Sequence, residues 1–261
     1  MPNYRDPAVV EVALDVVFHD GLADAALHAL PRKLHPEFGT PQRAEDNELE
    51  IEVTPDGKQT VTTRRAFVGW RFETPNPKCV TQVARSQFAL SYVRQHAPFG
   101  HYIGWPAVFE KYTKLWSLVR EDYQSLRPRR VGLRYINRVV VPNDTALENW
   151  LKVGMRAPDT LRNVFALQLR QTWEQIRDYE ELAATINLAK VEPDAAMREH
   201  GRQAFVLDID LFNLLPEKAP RFGELKEWFR RAHEAENLVF EACITDDLRA
   251  HFNSVTEHAI R

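Results

Sequence analysis

Cysteine is scarce in this 261-residue chain: Cys79 and Cys243 are the only two, far apart and set among apolar neighbours. That excludes a disulfide framework and a cysteine-based metal site, and leaves two buried thiols of a reducing compartment as the reading. No apolar run approaches the ~20 residues needed to cross a bilayer, so no membrane-spanning helix is expected and a membrane is not among the expected partners. The opening M-P-N-Y-R-D-P carries no basic stretch followed by an apolar run, and the expected location is the cytoplasm. Glycine-rich phosphate loops, H-E-x-x-H and nucleophile elbows are all missing, and no cofactor is expected. Nor is there an excess of one charge: 34 Lys and Arg stand against 37 Asp and Glu, a net of −3. This removes any global electrostatic case for nucleic acid or anionic lipid.

What is present is a repetition. Residues 86–116 contain S-Q-F-A-L-S-Y and then W-P-A-V-F-E-K-Y-T-K-L-W; residues 203–233 contain Q-A-F-V-L-D-I-D and then F-G-E-L-K-E-W-F-R-R-A-H. The spacing from Phe88 to Trp105 is 17 residues, and that from Phe205 to Phe222 is 17 again. A duplicated unit predicts a pseudo-symmetric domain whose function sits on a surface both copies build.

Periodicity gives the elements. Val9 to Phe18 is β-branched and alternating, a strand. Leu22 to Leu34 has helical spacing, with Pro31 predicting an early end or a kink. Leu49 to Val53 precedes a P-D-G hairpin signal at 55–57, then a strand from Thr60 to Phe72. A P-N-P turn leads into a strand over Val80 to Val93, and Trp105 to Tyr123 is a helix with one broad apolar stripe. In the second half Val131 to Val141 is a strand, Asp144 to Val153 a short helix, and 164–173, 181–191 and 204–212 are strands. A helix from Phe222 to about Ala242 then turns Leu225, Trp228, Phe229, Ala232, Leu238 and Val239 inward. The polar stretch 36–47 reads as irregular. The fold class is therefore α+β: duplicated β-α-β-β-β-α units over 1–126 and 127–261, an antiparallel sheet of about eight strands, and helices on one face.

If helices cover one face, alternation assigns the other. There Arg85, Gln87, Ser91, Arg134, Ile136, Arg138, Gln168, Arg170, Thr172, Thr185, Asn187, Asp208 and Asp210 collect. Two readings compete: a solvated face whose Arg and Asp pair across strands, or a surface where guanidinium forks await a carboxylate or phosphate.

Three segments, G-L-R-Y-I-N-R at 132–138, F-V-L-D-I-D at 205–210 and H-x6-F-x3-I-T-D at 233–246, together with P-A-V-V-E-V-A-L-D-V at 7–16, carry a resemblance. The chain resembles a sporadically distributed family of uncharacterised bacterial proteins. The resemblance implies a prokaryotic cytosolic protein of mobile, defence or toxin–antitoxin-type loci, and transfers no activity.

Candidate ligand-binding residues are Arg134, Asn137, Arg170, Asp208, Asp210 and His233. Asp208 and Asp210, at i and i+2 on a strand, point the same way, as paired carboxylates binding a divalent metal would. The plainer alternative sets them against Arg134 or Arg170. His233, matching Trp116 of the first copy, reads as a core histidine more than a base. Glu48, Glu50 and Glu52 read as a charge-protected edge strand. The expected function is a protein-binding or regulatory module, its partner a protein from the same locus or a second copy of the chain. The rival is a metal-dependent nucleotide or phosphodiester enzyme, with Asp208, Asp210 and His233 on the cation and Arg134 and Arg170 on phosphate. Nucleic-acid binding through Arg127, Arg129, Arg130 and the sheet arginines is disfavoured by the acidic balance.

Overall fold

The computed structural model describes residues 4, 7–53, 59–75, 77–94, 102–154, 167–192 and 195–254. In chain order the elements are β1 (Val9–Phe18), α1 (Asp24–Phe38), β2 (Gln42–Val53), β3 (Gln59–Pro75), β4 (Lys78–Ala84), β5 (Gln87–Val93), α2 (Trp105–Tyr123), β6 (Pro128–Pro142), β7 (Gln168–Trp173), β8 (Ala183–Val191), α3 (Ala195–Glu199), β9 (Arg202–Phe212), α4 (Leu225–Cys243) and α5 (Asp246–Ser254). The fold is α+β. Nine strands among the described residues make one sheet, ordered β2-β3-β4-β5-β1-β6-β9-β8-β7, and their pairings are antiparallel.

The central strand β1 shows why the sheet has two characters. Val12, Leu14, Val16 and Phe18 are buried, while Ala13 and Asp15 alternate onto the other face. Leu14 lies opposite Leu90 of β5 and Leu133 of β6, so the apolar row continues across strands. Onto that row pack Tyr112 of α2, 6.3 Å from Phe88, and Phe229 of α4, 4.6 Å from Tyr112. Each such aromatic pair adds about 0.5–1.5 kcal/mol beyond its buried area. The helix α1 is tied to β3 where the Trp70 indole N–H donates to the Leu27 carbonyl at 3.1 Å. No helix among the described residues is long and apolar enough to cross a membrane.

Several expectations need correction. The strand expected over Val80–Val93 is two, β4 and β5, joined by a two-residue turn at Arg85–Ser86. The turn escapes a sequence reading because it contains none of the Gly, Asn or Asp residues that mark tight hairpins. Among the described residues the first half therefore has one strand more than the expected unit, and the sheet has nine strands where about eight were expected. Helix α1 continues through Pro31 and Pro36 to Phe38, because Leu27, Leu30, Leu34 and Phe38 are all buried on both sides of the prolines. That burial offsets the roughly 3 kcal/mol an interior proline costs. The stretch 36–47 is the end of α1 and the start of β2. The short helix expected over 144–153 is a single 3₁₀ turn, Leu147–Asn149. Leu238, expected inside, is 53% exposed; the inner stripe of α4 runs through Phe229, Ala232, Glu236, Phe240 and Cys243 instead. The P-D-G turn at 55–57 lies outside the described residues, as do the side chains of Glu48, Glu50 and Glu52 on the outermost strand, β2.

Candidate functional site

Consecutive residues of β6 point to opposite faces, and the two faces hold different chemistry. On one, Arg134 of β6 grips Asp208 of β9 with a fork: Nε donates to Oδ1 at 2.7 Å and Nη2 to Oδ2 at 2.8 Å. Asn187 of β8 adds an Nδ2–H donation to the same Oδ2 at 3.0 Å. One pleat along, Arg130 bridges two strands. Its Nη1 donates to Asp15 of β1 at 2.6 Å, and its Nη2 to both oxygens of Asp210 at 3.1 and 2.8 Å. Gly132 makes room for this bridge, because a Cβ there would collide with both Arg130 and Asp15. Five charged side chains from β1, β6 and β9 thus form one ladder of charge-assisted bonds.

Electrostatics follow the pairing. Burial raises the Asp15 and Asp210 carboxyls above their ordinary value, with Arg130 pulling both back down. For Arg130 burial works against the charge but is outweighed by Asp15 and Asp210, so the guanidinium is held more firmly. Arg134 is held likewise, chiefly by its hydrogen bonds to Asp208. Arg170 stands exposed on β7 opposite Asn187, on the same face. Arg138 reaches the Met197 sulfur at 3.4 Å. Arg85 lies in the β4–β5 turn, not on the ladder, and pairs with Asp24 at the start of α1. Among the described residues, no group of three His, Cys, Asp or Glu side chains is placed to hold a metal ion.

On the other face, His233 of α4 stacks on Trp105 with ring centroids 4.3 Å apart. Its Nδ1 lies 2.9 Å from the Tyr135 hydroxyl, and the Asn237 amide faces Nε2 at 3.4 Å. Burial holds the imidazole down to about 4, so it is neutral at physiological pH. One turn along sits Glu236, 1% exposed, its carboxyl pushed up to about 8 by burial. Its Oε2 has no hydrogen-bond partner among the described residues. The Tyr102 and Tyr135 hydroxyls are neighbours there, and both are pushed up by burial.

Compared with known proteins, the chain matches no family model and no curated protein sequence.

The six sequence candidates therefore divide. Arg134, Asp208 and Asp210 come together, with Arg170 on the same face. Asn137 alternates onto the inner side, 1% exposed, where its amide donates to the Leu207 carbonyl at 3.2 Å. His233 joins the inner cluster. The reading missed Asp15 and Arg130 on the ladder, and Tyr102, Tyr135 and Glu236 inside. Glu236 had a signal: a carboxylate in the apolar stripe of an amphipathic helix.

Proposed function

We propose that the chain is a protein-binding or regulatory module that docks a partner on the ladder face, encoded, as the resemblance implies, at a mobile, defence or toxin–antitoxin-type locus. The observation that carries this reading is the ladder itself. Its charges are fixed in register on a rigid sheet, and such fixed patterns select partners by complementarity and speed encounter. The rival, a metal-dependent phosphodiester enzyme, would need Asp208 and Asp210 for a cation, yet each already holds a guanidinium. Co-purification with the native partner, repeated with Arg134→Glu and Arg170→Glu, tests the proposal. Stoichiometric partner should be recovered with the wild-type chain and lost with the charge reversals; turnover of a phosphodiester with Mg²⁺ or Mn²⁺ would overturn it.

The same reading includes the duplication. From the central β1–β6 pair outwards the order is β1, β5, β4, β3 on one side and β6, β9, β8, β7 on the other. The offset that carries Phe88 to Phe205 and Trp105 to Phe222 also carries Tyr112 to Phe229 and Trp116 to His233. Contacts across α2 and α4 are reciprocal under it: Trp105 meets His233, Trp116 meets Phe222 at 5.6 Å, and Tyr112 meets its own counterpart, Phe229. An isologous twofold contact has this form. Trp70, Phe88 and Tyr135 touch α1, α2 and α4 respectively from one side of the sheet, which supports helices sharing a face.

A further inference from the structure

The two edge strands of the sheet are guarded differently. β2 carries Glu45, Asp46, Glu48, Glu50 and Glu52, so pairing it with a second β2 would set carboxylates against one another. β7 ends the other side of the sheet, and among the described residues no strand pairs with its outer edge. It lacks the usual guards against edge pairing. Gln168–Trp173 contains no Lys and no Pro, runs in unbroken register with β8, and has Arg170 as its single charge. At its end Trp173 is 55% exposed, the most exposed of the large apolar side chains described.

The hydrogen-bond phase of β7 shows which backbone groups face outward. One step beyond the Gln168–Ala189 pair, the Lys190 N–H donates to the directly opposed Leu167 carbonyl at 3.0 Å. In an antiparallel ladder such pairs alternate with pairs whose N–H and C=O groups point away from each other. Leu169, Gln171 and Trp173 therefore turn their backbone groups toward β8, while Gln168, Arg170 and Thr172 turn theirs to the open edge. The Thr172 and Thr185 hydroxyls, 3.1 Å apart, agree with this phase, because side chains of a non-hydrogen-bonded pair stand closer.

We propose that β7 pairs with β7 of a second copy of the chain, antiparallel about a twofold axis at Gln171, joining the two sheets into one. In that register Arg170 and Thr172 exchange their outward backbone bonds with Thr172 and Arg170 of the second copy. Leu169, part-buried against the core, stands opposite Trp173 of the second copy, and the twofold repeats the contact, so both indoles are covered. Arg170 stands one diagonal from Glu174 of the second copy, again twice, within reach of long side chains of opposite charge. A shift of one step would set the two Arg170 side chains opposite each other in one direction, and take Trp173 off Leu169 in the other. The contact is isologous, and it keeps both ladder faces on the same side of the joined sheet. It uses an edge, not the ladder face, and is independent of the docking proposal. Residues 168–174 from each copy are few beside the roughly 20–30 a side of a standard interface, so the dimer is a weak one.

Sedimentation equilibrium of the full chain, up to several hundred micromolar, tests this. The mass should rise with concentration from 30.2 kDa toward twice that value. Thr172→Pro removes an N–H that β8 does not use, and an edge strand accepts Pro at such a position. It should weaken the dimer at least about tenfold and keep the far-ultraviolet circular dichroism of the wild type. It should also still capture a partner on the ladder face, so the two proposals fail separately. Trp173→Ala, at an exposed position, should weaken the dimer several-fold. Gln171→Cys sits on the axis, where opposed Cα atoms about 4.5 Å apart allow an interchain disulfide under mild oxidation. Gln168→Cys lies far from its own counterpart and should not cross-link; Cys79 and Cys243 are buried and do not compete. A mass that stays at 30.2 kDa throughout, a dimer unaffected by Thr172→Pro, or cross-linking of Gln168→Cys as ready as that of Gln171→Cys would each overturn the proposal.

Discussion

Arg134 and Tyr135 are chain neighbours, yet they belong to two opposite solutions to the problem of buried charge. On the side of Arg134, the carboxylates of Asp15, Asp208 and Asp210 each meet a guanidinium. On the side of Tyr135, Glu236 meets none and keeps its proton instead. The first group is complete in itself. Taking two charges out of water is costly, and the ladder offsets that cost with good geometry and a second layer of hydrogen bonds from Asn187. The second group is incomplete, and its cost falls on the proton equilibrium. Paired charge fixes a surface; a carboxyl held neutral by burial makes the fold responsive to pH.

The largest effect that sharpens this contrast is the pH dependence of stability. Glu236 has its folded value raised, to about 8, so its contribution is full below its ordinary carboxyl range and is lost as pH rises through about 8. His233 has its folded value lowered to about 4, so its contribution is full above its ordinary value of 6.5 and is lost as pH falls through about 4. Each slope is on the order of 1 kcal/mol per pH unit, and the two have opposite signs. Chemical denaturation should show Glu236→Gln gaining on the wild type steadily from about pH 5 to pH 8, by several kcal/mol in total. His233→Gln should gain on the wild type only as pH falls below 6.5. Parallel curves for wild type and Glu236→Gln would mean that the carboxyl is not held neutral.

How much of this was legible beforehand depends on which physical signal each residue leaves. Strands β1, β6 and β9 could be read because their apolar residues alternate, and alternation also placed Arg134, Asp208 and Asp210 on one face. Helix α2 was legible to the residue from its stripe. The turn between β4 and β5 was not, since Arg85 and Ser86 lack hairpin chemistry and only the return pairing of Ala84 with Gln87 reveals it. Nor was the extent of α1, where tertiary burial overrode the local preference of Pro31. Arg130 was read only beside Arg127 and Arg129 as a possible nucleic-acid contact; its role depends on Asp15 being brought beside it, more than a hundred residues distant in sequence. Tyr135 and Glu236 look like ordinary members of a strand and a helix until the two elements are packed together.

A smaller effect breaks the other side of the comparison. Arg130→Met removes the cation shared by Asp15 and Asp210 and leaves two partly buried carboxylates facing each other. Breaking a fully buried pair costs about 3–5 kcal/mol; with Arg130 about a third exposed, we expect about 2–3 kcal/mol in urea unfolding at pH 7. The loss should shrink toward acid, because both carboxyls are already raised and their protonation removes the repulsion. Adding Asp15→Asn and Asp210→Asn should restore most of it. Gly132→Ala should cost about 1–2 kcal/mol by pushing Arg130 off Asp15, and much less in the Arg130→Met background.

The smallest effect separates the ladder's interior from its margin. Arg134 is about half exposed while its partner Asp208 is buried, so the fork is worth more than a surface ion pair and less than a buried one. Arg134→Ala should cost about 1–2 kcal/mol, and a double-mutant cycle with Asp208→Asn should give a coupling of about 1 kcal/mol. Arg134→Lys should recover little of it, because an ammonium cannot reproduce the two parallel bonds of the fork. Arg170, exposed beside the same ladder, should be neutral within about 0.5 kcal/mol when changed to Ala. That neutrality makes Arg170→Glu a clean probe of the docking face: it should abolish partner capture and leave the unfolding midpoint where it was. If Arg170→Ala proves as destabilising as Arg134→Ala, the margin is part of the structural ladder, and Arg170 is not a guanidinium held ready for a partner.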